Sequence, residues 1–333
     1  MFRDCYMKRL TELMNSRKLD AVFVNPSEIL KFLTGVNVLL CERFQGLFLT
    51  RAGDLFYIVS VLNGEEIKEA LEGKAEVFVY EYEAMDAIRP AFEKYGLAGA
   101  RVAVNSTTRA MDVVKLIDGF GVHIVDGNDL LCDATAIKTE ESIEKLAYAA
   151  RMTDKVYEMV LNTIRPGMTE GNVMEMAGRY FKQLGITESF GGGVSFGKNT
   201  ALPHYIRDTA VLQEQDIVLM DFGCKYQGFH SDMTRTFFIG DATPKQREVY
   251  ATVLQANLRA EAGARAGMTG HEIDAIARDY IAGQGYGDRF IHRLGHGVGS
   301  SVHEHPVIGQ GETSPIENGM VFSIEPGIYF EAD

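Results

Sequence analysis

The chain has 333 residues, 46% hydrophobic and 24% charged, the balance of a soluble folded protein long enough for two domains. A formal net charge of −13 excludes recognition of a nucleic-acid phosphate backbone, and no stretch reaches the ~18 uncharged apolar residues of a membrane helix. The residues from Met1 to Arg9 carry charge where a secretion signal needs an apolar run. The cysteines Cys5, Cys41, Cys132 and Cys224 are widely spaced, so the expected setting is the reducing cytoplasm, without a disulfide framework or thiolate zinc site.

Helical spacing covers 3–17 and an apolar strand follows at 21–24. Pro26-Ser27 offers an N-cap for a helix over 28–33. Strands are expected at 46–49, 55–59, 77–80 and 101–104, with helices at 65–71, 84–94 and 109–117. The alternation predicts an α/β domain over residues 1–130. No Gly-x-Gly-x-x-Gly follows the first strand and no P-loop is present, so nucleotide binding has no support; Gly191-Gly192-Gly193 reads as a flexible turn. The polar run Asp126-Gly127-Asn128-Asp129 marks the expected boundary, and a second domain spans 137–333. Its helices are expected over 140–163, from the Thr169 cap to 184, from Pro244 to 262, and from the Thr269 cap to 282. Strands follow each helix pair, an α+β arrangement.

This second domain repeats itself. Arg165-Pro166-Gly167-Met168-Thr169 returns as Arg265-Ala266-Gly267-Met268-Thr269, and Ala177, Tyr180 and Gly185 return as Ala277, Tyr280 and Gly285. The run ending Asp221-Phe222-Gly223 resembles the one ending Glu325-Pro326-Gly327, and His204 and His303 precede the two runs. Two copies are too few for a solenoid. They fit one domain of two similar halves related by a pseudo-two-fold axis, whose matching acids converge.

Asp221 and Asp232 lie on apolar runs joined by Lys225-Tyr226-Gln227-Gly228. A hairpin centred between Tyr226 and Gln227 would oppose them directly, with Cβ atoms about 4.5–5.5 Å apart. Two facing carboxylates destabilise a sheet unless a cation lies between them; caps at strand ends would account for them equally well. The second half favours the cation. Gly295-His296-Gly297-Val298-Gly299 surrounds an imidazole with residues that allow close backbone approach, and Ser323-Ile324-Glu325-Pro326-Gly327 sets a carboxylate at the end of an apolar strand. Oxygen donors with one imidazole suit manganese, cobalt or iron(II) better than a thiolate zinc site. Two ions about 3.5–4 Å apart would serve both to activate water and to polarise a carbonyl.

The run from Asp221 through Gly228, then Ser231-Asp232-Met233-Thr234-Arg235-Thr236, Gly-His-Gly-x-Gly and Glu-Pro-Gly together resemble the pita-bread metallopeptidases. Within these the chain is most similar to the Xaa-Pro peptidases, prolidase and aminopeptidase P. The likeness is specific from about Ile137 to Tyr329. It is looser over the first 130 residues, which resemble the creatinase/prolidase amino-terminal domain. The resemblance implies Asp221, Asp232, His296 and Glu325 as ligands of two divalent ions, Mn2+ or Co2+ foremost and Fe2+ or Zn2+ as alternatives, with Asp232 bridging. It implies Glu325 as proton acceptor, His204 in proton transfer and substrate holding, and His292 and His303 in stabilising substrate and intermediate. The His-Glu-x-x-His zinc signature is absent.

The implied activity is hydrolysis of the bond preceding proline in short peptides by a homodimer whose amino-terminal domain caps the cleft. Dipeptides are favoured over the longer substrates of an aminopeptidase. Creatinase-like C–N hydrolysis, a lyase, and a binding protein on the same fold are the alternatives; the metal set argues against the creatinase branch, which works without metal. In the family a further strand supplies a bridging glutamate as fifth ligand. The present residues end at Asp333, and Glu331 is too near Glu325 to replace it, so the expectation is a folded chain with a weakened second metal and impaired activity.

Overall fold

The computed structural model describes residues 3–203, 205 and 207–330. The chain divides into two compact units, Met1–Thr135 and Ala136–Asp333.

In the first unit, strands β1 (Ala21–Val24), β2 (Gly46–Thr50), β3 (Leu55–Ser60), β4 (Glu76–Tyr80), β5 (Arg101–Val104) and β6 (His123–Asp126) form one sheet in the order β4-β3-β2-β1-β5-β6. The β1–β2 and β2–β3 pairs are antiparallel and the others parallel. Every residue of β1 and β2 is buried, which is why these runs read as unbroken apolar stretches rather than alternating ones. On one side the rings of Phe23 and Phe48 stack at 4.6 Å, Phe48 and Phe56 at 4.8 Å, and Phe56 and Tyr95 at 4.5 Å.

The helices are α1 (Asp4–Ser16), α2 (Glu28–Thr34), α3 (Val61–Ala70), α4 (Met85–Tyr95), α5 (Ala110–Phe120) and α6 (Asn128–Ala136). Ser27 caps α2 as expected, its hydroxyl accepting from the Leu30 N–H. Ser60 caps α3 and starts it earlier than the apolar spacing indicates. The polar run at 126–129 is a helix start: the Asp126 carboxylate accepts from the Asn128 N–H and α6 begins there.

The second unit consists of two similar halves. In the first, α7 (Glu140–Leu161) packs on α8 (Glu170–Gln183), with strands β7 (Thr187–Glu188), β8 (Gly193–Phe196), β9 (Asp216–Asp221), β10 (Cys224–Tyr226), β11 (Phe229–His230) and β12 (Thr234–Ile239). In the second, α9 (Pro244–Gly263) packs on α10 (Gly270–Gly283), with β13 (Gly295–Gly297) and β14 (Glu304–Ile308).

The repeat seen in the sequence is a repeat of geometry. Thr169 and Thr269 each close a capping box, with Asn172 and Glu272. Gly167 N–H donates to the Leu212 carbonyl at 2.9 Å and Gly267 N–H to that of Ile316 at 2.8 Å. Each half has its own apolar core, one around Val156, Phe181 and Phe222, the other around Ile273, Ile281 and Leu294.

Two local expectations are corrected. The β9–β12 ladder pairs Asp221 with Thr234, and β10–β11 pairs Tyr226 with Phe229. The hairpin therefore turns at Gln227-Gly228, both at positive φ (49° and 86°), one position beyond the expected centre. Positive φ at both central residues gives the primed turn whose twist matches the strands, and Gly228 supplies it without strain. The glycine run is not a loose turn either, because Gly193 opens β8 and pairs with Asp221.

Candidate active site

Asp221 ends β9, and Asp232 lies two residues before Thr234, its partner across the ladder. The two aspartates are thus diagonal neighbours, not directly opposed. Gly223 makes this approach possible: a Cβ there would stand 1.9 Å from the Ser231 carbonyl oxygen.

The second half uses the same diagonal. The run carrying Glu325 forms isolated bridges rather than the expected strand, yet it follows the His296 segment closely. Val298 N–H donates to Val321, Ser323 N–H to His296 and Glu325 N–H to Leu294. Glu325 therefore sits one pair along from His296, and Gly295 takes the close approach, since a Cβ there would be 2.0 Å from the Ser323 carbonyl.

Three of the four meet directly, and Asp221 acts on Asp232 through its charge. His296 Nε2 lies 3.1 Å from Glu325 Oε1 and 3.4 Å from Asp232 Oδ2. Burial drives the Asp232 carboxyl up to about 7, with the charges of Asp221 and Glu325 adding to the shift. Burial, the largest single influence, opposes the imidazolium of His296, but the hydrogen bond and charge of Glu325, the Gly297 carbonyl and the charge of Asp232 together outweigh it and the net direction is upward. Burial is the largest influence on Glu325 and would raise it, yet the bond and charge of His296, the Ser323 hydroxyl and the charge of His292 together hold its carboxyl low. Among the described residues no three such donors are spread around one common point. The imidazole of His296 lies between the carboxylates of Asp232 and Glu325.

His303 joins them, its ring 4.1 Å from that of His296. His292 Nδ1 lies 2.7 Å from the Arg293 carbonyl and so donates to it, leaving Nε2 to accept from the Tyr329 hydroxyl at 3.1 Å. Burial, then Glu325 and Asp221, push that phenol up to about 12, so it keeps its proton. His204 and Glu331 lie outside the described residues.

Several supporting residues escaped the sequence reading. The Tyr157 hydroxyl lies 2.7 Å from the Met220 carbonyl and 2.5 Å from that of Met233, holding the two chain segments beside Asp221 and Asp232. In the sequence it is one more aromatic on the apolar face of a helix. Ser323 donates to Glu325 Oε1 at 3.0 Å and receives the His296 N–H at 3.0 Å. Buried Asp274 binds Arg278 through both carboxylate oxygens and accepts the Leu294 N–H, while Arg278 donates to the carbonyls of Phe290 and His292. Their spacing of four along a helix was a readable sign of an ion pair, but not of what it clamps. A cavity of about 320 Å3 opens beside His292, lined also by Phe290, Arg293 and Val307. A larger one, about 470 Å3, is lined by Arg165, Met168 and Arg179 and touches none of the four acidic and imidazole groups.

Two matching halves bring the carboxylates of Asp232 and Glu325 to one imidazole, with Asp221 at the end of the adjoining strand. Residues 144–333 match the model of metallopeptidase family M24 and residues 7–132 that of the creatinase/prolidase N-terminal domain, so the chain belongs to metallopeptidase family M24. It is 32% identical to the Xaa-Pro dipeptidase of Lactobacillus helveticus, over 97% of this chain and 89% of that protein. Prolidase from Thermococcus sibiricus superposes with a TM-score of 0.92 at 28% identity, covering 100% of this chain and 91% of that one. X-Pro aminopeptidase from Thermotoga maritima superposes with a TM-score of 0.83 at 27% identity, covering 100% and 92%.

The family implies divalent metal ions, and the donor set fits them. His296 Nδ1 is 3.1 Å from the Gly297 carbonyl, which takes its proton and leaves Nε2 facing the carboxylates, the orientation of a ligating histidine.

Proposed function

We propose that this chain hydrolyses the bond preceding proline in Xaa-Pro dipeptides, using divalent ions, Mn2+ or Co2+ foremost, held by Asp221, Asp232, His296 and Glu325. The observation that carries this reading is the approach of His296 Nε2 to Asp232 and Glu325, in a chain alike along 97% of its length to an Xaa-Pro dipeptidase. Bound there, the ions would polarise the scissile carbonyl as Lewis acids and acidify the attacking water. Glu325 would take the proton from that water. His292, fixed by the Arg293 carbonyl and Tyr329, and His303, against His296, orient the substrate and the developing oxyanion. His204 shares in proton transfer.

The Xaa-Pro bond is a tertiary amide without an N–H, so enzymes that dock substrate as a hydrogen-bonded strand handle it poorly. A site built on carboxylates and imidazoles does not need that hydrogen bond. The working form is a cytoplasmic homodimer. The likeness to an X-Pro aminopeptidase favours a second reading, cleavage after the first residue of longer peptides.

A panel of Ala-Pro, Ala-Pro-Ala, Ala-Ala and creatine, with manganese, separates these. Cleavage of Ala-Pro alone supports the dipeptidase and cleavage of Ala-Pro-Ala the aminopeptidase. Turnover of none of the four would contradict both and favour a binding protein.

A further inference from the structure

We propose that Lys138 and Glu304 are a positioning pair for His303, an inference that rests on the role given to His303 above. Their side chains are 1% and 2% exposed and bind each other, with Lys138 Nζ also donating to the Ala136 carbonyl at 3.0 Å. The second carboxylate oxygen of Glu304 accepts from the Ser300 hydroxyl at 3.1 Å and the Ser301 N–H at 3.2 Å. Gly299 N–H donates to the Ser301 carbonyl at 3.0 Å, which closes the bend. Space is tight around the pair: a Cβ on Gly299 would come within 2.4 Å of Glu304 Oε1 and 2.7 Å of Lys138 Cε.

The segment from Gly299 to Glu304 is thus tied at both ends to one buried carboxylate, and His303 is the residue directly before it. Lys138 is anchored in turn, its N–H donating to the Gly319 carbonyl at 2.9 Å while Ile137 bridges to Met320. A buried ion pair is a poor source of stability, because well-packed apolar residues of similar volume are often as stable or more so. What this pair provides is a fixed geometry. It ties the bend carrying His303 to the start of the long helix α7, and so sets that ring against His296.

The test uses the chain with Lys138→Met and Glu304→Gln combined, a neutral pair of similar volume, in both the parent and the His303→Ala background, manganese-loaded for kinetics and metal-free for resonance measurements. Hydrolysis of Ala-Pro is measured as kcat and KM separately. Misplacing a substrate-positioning group by about 1 Å costs up to about 100-fold, so kcat is expected to fall at least about tenfold in the parent and by less than about twofold in the His303→Ala background. Equal losses in the two backgrounds, or an unchanged kcat with only a lowered Tm, overturn the proposal. A second arm does not depend on turnover. The imidazole Cε1–H resonance of His303, assigned by its loss in His303→Ala, should move in the combined variant while that of His123 stays. If the combined variant does not fold, Ser300→Ala, which removes one bond to Glu304 and keeps the ion pair, should move the same resonance. A His303 resonance that stays in place overturns the proposal even if no Xaa-Pro peptide is cleaved, so the two readings fail separately.

Discussion

The Nε2 of His296 lies 3.1 Å from Oε1 of Glu325, and the two residues stand diagonally across neighbouring chain segments in the way Asp221 and Asp232 do in the other half.

The first prediction concerns pH. The Asp232 carboxyl is raised from 3.8 to about 7, so over that interval the folded chain holds a proton that the unfolded chain has released. Stability of the metal-free protein should therefore fall as pH rises through this window. His296, also raised, extends the loss above its ordinary value of 6.5. Urea denaturation at pH 5 and pH 7 checks this, with Asp232→Asn expected to flatten the slope and added manganese to remove it. Stability that rises in metal-free protein between those two values would contradict the assignment.

Tyr157→Phe should lower stability by about 1–3 kcal/mol, because two buried carbonyls lose their shared donor. Since those carbonyls flank the two aspartates, manganese affinity should also fall by about 10–100-fold, the usual size of an outer-shell effect. Calorimetric titration showing unaltered affinity would reduce Tyr157 to a packing role.

Asp274→Asn should cost about 3–5 kcal/mol, since it leaves the Arg278 charge buried without its partner. Because Arg278 holds the Phe290 and His292 carbonyls, KM for Ala-Pro should rise as well. A thermal melt together with steady-state kinetics checks both.

Gly223→Ala and Gly283→Ala should part company. The first drives a Cβ into the Ser231 carbonyl and should prevent folding or lower Tm sharply; the second meets nothing within 4 Å and should stabilise by about 0.4–1 kcal/mol. Thermal melts of the two variants decide it.

Much of the catalytic unit was legible because local rules and the global fold agree there. Thr169 and Thr269 announce helix starts as caps and Pro244 announces a third, and the Gly-Met-Thr repeat announces two halves. The four metal-ligand candidates were found through glycine-flanked acids and imidazole at the ends of apolar runs. The register was not, because a one-position choice of turn shifts every cross-strand partner while leaving the apolar pattern intact; the positive φ at Gln227 decided it. Tyr157, Asp274, Lys138 and Glu304 were missed for another reason. Each acts on backbone atoms or on a partner far away in the chain, and a single sequence shows residue types, not which carbonyl they reach.

The central claim is that Asp221, Asp232, His296 and Glu325 together hold the divalent ions on which peptide hydrolysis depends. Manganese titrated into metal-free protein, with bound ion and Ala-Pro cleavage followed in parallel, tests it directly in the parent chain and in Asp221→Asn, Asp232→Asn, His296→Ala and Glu325→Gln. Activity should rise in step with bound manganese in the parent, and each variant should lose tight binding together with at least about 100-fold in kcat/KM, more than an outer-shell change removes. Variants that bind manganese as tightly as the parent, or cleavage that persists in excess chelator, would contradict the account.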